Sequence, residues 1–270
     1  KRLLRLYPAL WLCLFLSIVL LSVSGYLSTE EFSTIEFITW VITSATFLQF
    51  YNPDFLRGFG VGSINGSLWT VVVEMQFYIL TPILYYFLRK KILKVIIFFA
   101  FFTIFNGVNV YLNPQETILQ KLINVSFFPW FYMFCLGALA YKYNHLLTFI
   151  KKVPLVIILM VYLFVYYLSN SSIGWGNQIN LIGYLVLILL VYKLAITKPA
   201  LSDMILNRND ISYGIYIFHM PIVNFLLYKN QTGSYGFIIA LIATIIFAFL
   251  SWRFVERPFL RLKKTQVRSN

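Results

Sequence analysis

Long apolar runs separated by short polar clusters make up most of the chain. Eight runs are near the ~20 residues a helix needs to cross a bilayer core. They are residues 8–27, 67–88, 92–112, 123–142, 153–169, 179–196, 211–228 and 234–256. The stretch 34–50 is apolar as well, but Glu36, Thr39, Thr43 and Thr46 recur in it at spacings of three and four residues. One polar stripe on an apolar helix is the pattern of a helix lying in the membrane interface. The pattern therefore predicts an all-α protein: a polytopic integral membrane helix bundle with eight transmembrane helices plus one interfacial helix. With no internal repeat, low-complexity stretch or linker, residues 1–270 are expected to form a single transmembrane domain.

Composition supports the same class. The chain is 60% hydrophobic and 11% charged, against about 45–50% and about 25% in soluble domains. A soluble enzyme, a disordered chain and a disulfide scaffold are excluded on that ground. Cys13 and Cys135 sit inside apolar runs without metal-binding or disulfide spacing, so they read as small buried hydrophobes.

The net charge of +13 changes the picture only through its distribution. If 34–50 does not span and Lys1 is cytoplasmic, nineteen of the 22 basic residues fall inside, and only Arg57, Lys121 and Lys229 fall outside. If 34–50 spans, every later loop flips and 16 fall outside. The positive-inside rule selects the first arrangement. Both termini of the chain are then cytoplasmic, and the loop from about 28 to 66 is external and structured. The basic excess is directed at the anionic inner leaflet, with the tail after Pro258 lying on it, and no nucleic acid partner is expected.

Polar groups at membrane depth are expensive and mark candidate chemistry. Glu74 is the one acidic residue well inside a run, and Ser67, Thr70, Glu74, Tyr78 and Thr81 share its helical face. Ser67, after Asn65-Gly66, is placed to cap that helix. Glu74 is either a buried carboxylate that serves packing or a group that holds or orients a base. His219 is the one histidine inside a run and shares a face with Ser212 and Tyr216. Pro221, two residues on, is expected to kink the helix and free a carbonyl. A lone histidine is commonly a packing residue; the functional alternative is a catalytic group. Arg2 and Arg5 lie one turn apart at the first cytoplasmic mouth, as positive-inside anchors or as a phosphate clamp. Glu256, between Arg253 and Arg257, is expected in a structural ion cluster.

Taken in order, these elements resemble the acyltransferase-3 family of integral membrane O-acyltransferases. Arg2-Leu-Leu-Arg5-Leu-Tyr7-Pro8-Ala-Leu-Trp11 is similar to the family's Arg-x-x-Arg stretch before its third span. The run Asn65-Gly-Ser-Leu-Trp-Thr-Val-Val-Val-Glu74-Met-Gln-Phe-Tyr78-Ile-Leu-Thr-Pro82 is the most specific match. Ile211-Ser-Tyr-Gly-Ile-Tyr216-Ile-Phe-His219-Met-Pro221 resembles a late family helix, and Trp252-Arg-Phe-Val-Glu256-Arg-Pro258 its closing segment.

The resemblance implies about ten spans, with two expected before Lys1. It places the family's catalytic histidine in the first of those, so that role is not carried to His219. It implies acyl transfer, commonly of acetyl, from cytoplasmic acyl-CoA to a hydroxyl of a cell-envelope glycan or lipid-linked sugar in the cell membrane. No cofactor is held permanently; acetyl-CoA or another acyl-CoA is a co-substrate, with Arg2 and Arg5 toward its phosphates. Glu74 is expected to orient a base or stabilise its charged form. Tyr216, Tyr78 and His219 are candidates to stabilise the oxyanion. The alternatives are an exporter of polysaccharide or lipid-linked sugar and an inactive member of the same family.

Overall fold

The computed structural model describes residues 3–88, 92–111, 117–169, 181–197, 204 and 209–261. Among these residues all regular structure is helical. The main helices are α1 (Leu3–Val23), α2 (Tyr26–Thr29), α3 (Thr34–Ala45), α4 (Trp69–Leu88), α5 (Ile92–Tyr111), α6 (Ile118–Asn124), α7 (Phe131–Lys142), α8 (Leu155–Ser169), α9 (Leu181–Ile196), α10 (Ser212–Tyr228) and α11 (Gly233–Ser251). They divide into two compact units, Lys1–Val72 with Arg208–Asn270, and Val73–Asn207.

A helical bundle is thus present in each unit, but the expected spans differ in length. Among the described residues, two helices are long and apolar enough to cross a membrane: Leu3–Val23, with 21 residues, and Gly233–Arg261, with 29. Four apolar helical stretches are shorter, Thr34–Ala45, Leu93–Val108, Leu155–Leu168 and Ile182–Ile196. The run 123–142 is not one helix. It breaks between α6 and α7, where Pro129 disfavours helical backbone at Phe128 and offers no N–H of its own.

In the first unit, α1 packs against α10 and α10 against α11. Close approach between the last two needs a small residue: a Cβ added to Gly214 would lie 2.8 Å from the Ala248 Cα. The segment between α1 and α4 is folded, as expected, around its own core of Leu21, Tyr26, Trp40, Phe55, Leu56, Phe59 and Ile64. The Tyr26 hydroxyl donates to the Phe55 carbonyl at 2.6 Å. Helix α3 begins in a capping box, Ser33 with Glu36, so Glu36 closes the helix end as well as lying on its polar side. Trp40 and Ser44 are buried, Ile35, Ile38 and Ile42 are exposed, and the threonines lie on a separate flank. Those sectors suit a helix with one side on protein, one on lipid and one in water.

The last residues of this segment reach far along α1. Asn65 touches Cys13, which is ten residues from either end of α1, about 15 Å along its axis.

In the second unit, Phe77 stacks on Phe134 with centroids 4.5 Å apart, and Phe102 meets Phe131 at 4.2 Å. Gln76 closes the break before α7: its Nε2 donates to the Val125 carbonyl at 3.0 Å, and its Oε1 accepts from the Phe127 N–H at 2.8 Å. Helices α8 and α9 pack through Ile158 and Leu190.

Candidate active site

One polar cluster of the first unit lies where a proline falls inside helix α10. Pro221 lies inside α10 and has no N–H for the carbonyl four residues earlier, that of Ile217. Asn65 Nδ2 donates to that carbonyl at 2.9 Å and the Cys13 thiol donates to it at 3.1 Å. The freed carbonyl expected near Pro221 is therefore present and is satisfied by side chains. Asn224, fully buried on the same helix, holds the preceding loop. Its Oδ1 accepts from the Val61 N–H at 2.9 Å, and its Nδ2 donates to the Ser63 and Ile64 carbonyls at 2.9 and 3.1 Å.

Beside this knot four candidate groups meet. The Tyr216 hydroxyl donates to the Ser67 carbonyl at 2.9 Å and touches the Thr70 hydroxyl. The Ser67 hydroxyl donates to Asn65 Oδ1 at 2.7 Å. His219 Nδ1 is 2.6 Å from the Tyr216 carbonyl. A carbonyl oxygen only accepts, so Nδ1 carries the proton and Nε2 holds the lone pair in the neutral ring. That is the tautomer in which a half-buried His219 can take a proton at Nε2. Ser67 does not cap α4 as expected. It sits inside a short 3-10 turn, Gly66–Leu68, ahead of Trp69, and its hydroxyl is used on Asn65 instead.

The second polar cluster lies at the start of α1 and α10. Arg5 forms an ion pair with Asp210, and the Ser212 hydroxyl donates to the other Asp210 oxygen at 2.6 Å. Burial raises the Asp210 pKa, but Ser212 and Arg5 outweigh it and hold the carboxyl below its usual range. Arg5 is thus pre-ordered by a carboxylate. Arg2 lies outside the described residues. Glu256 does not join Arg253 and Arg257 in an ion cluster. A π-type turn, Trp252–Glu256, carries it inward to full burial, where Ser251 donates to its Oε1 at 3.0 Å. Among the described residues the ion pairs are Arg5–Asp210 and Arg57–Asp54.

Glu74 belongs to the second unit, where it is exposed rather than buried along α4 and accepts from the Tyr78 hydroxyl one turn on. The expected oxyanion donors all have internal uses for a proton: Tyr78 at Glu74, Tyr216 at Ser67 and His219 Nδ1 at Tyr216. Asn65, Asn224, Gln76 and Asp210 are not singled out for chemistry by the sequence, where Asn65 enters only at the head of the matched run. Each signalled itself only as a polar residue inside or beside an apolar run, without a periodic partner.

The described residues thus form an apolar helical architecture with two polar clusters, one rich in hydroxyls beside an imidazole and one built on a guanidinium. The acyltransferase-3 family, described as an acyltransferase domain, matches residues 1–253, and the chain belongs to that family. It is 26% identical over 278 aligned residues to nodulation protein 10 of Rhizobium leguminosarum bv. viciae, covering 99% of this chain and 76% of the relative. It is 25% identical over 267 residues to the O-acetyl transferase of Shigella phage Sf6, covering 96% and 76%. No solved structure matches the chain. The protein is an O-acyltransferase.

Proposed function

We propose that the protein spans the cell membrane several times, with both ends of this chain cytoplasmic. In this reading it moves an acetyl group from cytoplasmic acetyl-CoA to a hydroxyl of a cell-envelope glycan or lipid-linked sugar. The observation that carries this reading is the spacing of the two clusters along α10. Ser212, bonded to Asp210 beside Arg5, and His219 are seven residues apart, about 10 Å on a helix. A CoA thioester has its phosphates and its acyl group at opposite ends of a long arm. Phosphates held by Arg2 and Arg5 leave the thioester free to reach toward Tyr216 and His219.

The chemistry follows from the residues. A sugar hydroxyl is a weak nucleophile and needs a proton acceptor as it attacks the thioester carbonyl. His219, with a lone pair at Nε2, can bind that hydroxyl beside Tyr216. Tyr216, whose proton is committed to Ser67, sets the position of the His219 ring through its carbonyl. In the second unit, Glu74 offers a carboxylate of the kind that orients a base or stabilises its charged form. Attack forms a C–O bond, the thiolate of CoA leaves, and the hydroxyl proton passes to the base and then to the thiolate. Membrane residence is supported by the apolar surface of α5, α8 and α11, which expose Ile104, Phe164 and Phe237 among others. The O-acetyl transferase name of the phage relative supports acetyl as the group moved.

The test uses the protein in lipid nanodiscs with acetyl-labelled acetyl-CoA and lipid-linked glycan extracted from bacterial membranes. Label that appears in the glycan and is released by mild base as acetate is the expected result. Label that stays on CoA, or is lost only to water, overturns the reading.

A further inference from the structure

We propose that Asn65 is a positioning residue: it couples the carbonyl that Pro221 leaves without a helical donor in α10 to the geometry of Ser67, Tyr216 and His219. The proposal rests on the reading that this cluster handles the acceptor hydroxyl.

In a medium without water the Ile217 carbonyl needs a donor from elsewhere once Pro221 withholds its own. Asn65 supplies it at 2.9 Å, with the Cys13 thiol as a second, weaker donor. The same amide accepts the Ser67 hydroxyl at 2.7 Å. Only 7% exposed, Asn65 spends one end on helix α10 and the other on the turn that carries Ser67. An amide has a donor and an acceptor on one planar group. Aspartate lacks the donor and alanine lacks both.

Two residues farther on, the Ser67 carbonyl receives the Tyr216 hydroxyl, and the Tyr216 carbonyl receives His219 Nδ1–H. The chain of contacts Ile217–Asn65–Ser67–Tyr216–His219 is continuous. Asn65 sets the height of Ser67 against α10, and through Tyr216 it sets the ring that presents Nε2. Asn224 holds Val61, Ser63 and Ile64 independently. The segment therefore stays folded when Asn65 is changed.

Pro221 makes the role testable. Pro221→Ala returns an N–H to α10, and the Ile217 carbonyl no longer needs Asn65. Asn65→Ala, Asn65→Asp, Pro221→Ala and the Asn65→Ala/Pro221→Ala double variant are compared with wild type in nanodiscs. Four quantities are measured: melting temperature, transfer kcat, KM for acetyl-CoA, and the carbethoxylation rate of His219 by diethyl pyrocarbonate, with His145 as internal control. Asn65→Ala and Asn65→Asp are expected to lower transfer kcat at least tenfold and leave the acetyl-CoA KM within about twofold. They should shift His219 reactivity at least threefold, with His145 unchanged. The double variant should recover melting temperature relative to Asn65→Ala, while kcat and His219 reactivity stay altered.

Recovery of kcat in step with melting would reduce Asn65 to a satisfier of one carbonyl and overturn the proposal. So would unchanged His219 reactivity in Asn65→Ala. Wild-type protein that transfers no acyl group would instead defeat the functional reading, and His219 reactivity would still decide the role of Asn65.

Discussion

Asn65, Gln76 and Asn224 each bond backbone that no helix serves. An unpaired buried backbone group costs about 1–3 kcal/mol, and measured interhelical hydrogen bonds in membranes average about 0.6 kcal/mol. Asn224→Ala unpairs three such groups and is expected to destabilise the protein by about 2–4 kcal/mol in detergent unfolding. Gly60 lies against Asn224 at φ +58°, so Gly60→Ala should lower stability by the same route, adding left-handed strain and a Cβ where the Asn224 side chain sits. Glu74→Gln separates chemistry from packing. The amide keeps the shape and can still accept from Tyr78. It should insert normally, melt within a few degrees of wild type and bind donor, yet lose transfer by up to about 10⁴ if the charge is what the reaction uses. Near-normal transfer by the folded variant would make Glu74 structural. Glu74 and His219 stand out in the sequence because ionisable groups are rare in apolar runs. The amides do not, because their partners are backbone atoms of residues far along the chain.

At the level of elements, α1 and α10 are tied at the foot by Arg5 and Asp210. Arg5→Ala should weaken acetyl-CoA binding about tenfold, since a charge-assisted contact is worth about 1.5–3 kcal/mol. Unchanged affinity in a folded variant would leave only the tie between helices. Asp210 has a lowered folded pKa, so its ionised form is favoured by folding. Its contribution is full above the unfolded value of about 3.9 and is lost as pH falls through the lower folded value. The wild type should therefore lose part of its melting temperature below about pH 4, and Asp210→Asn should flatten that part of the profile. The break between α6 and α7 shows the opposite balance of sequence and structure. Hydropathy runs straight through 123–142, because Phe127 and Phe128 are as apolar as a span requires. Pro129 overrides it, and Gln76 accepts the consequence.

For the whole molecule, the charge distribution predicts which ends face the cytoplasm. Cys13 and Cys135 are both buried, so a cysteine added at the surface has little native background. In intact cells a membrane-impermeant maleimide should label Ser28→Cys and leave Lys94→Cys unlabelled until the membrane is opened. External labelling of Lys94→Cys would invert the topology. The described helices of full spanning length are α1 and the helix Gly233–Arg261. Shorter helices still bury apolar stretches of bilayer when tilt, local thinning or neighbouring turns make up the length.

By itself the sequence determined the helical class, the likeness to the acyltransferase-3 family, the basic residues ahead of the first apolar run and the polar stripe leading to Glu74. These follow from hydrophobicity, charge and period, which are local and survive as a pattern along the chain. Only the tertiary structure decided that the Ile217 carbonyl freed by Pro221 goes to Asn65, 152 positions away. It likewise decided that Arg5 pairs with Asp210 and that Asn224 braces a loop. Such pairings carry no period. They are settled when helices distant in sequence pack and each buried donor or acceptor must find a partner within about 3 Å.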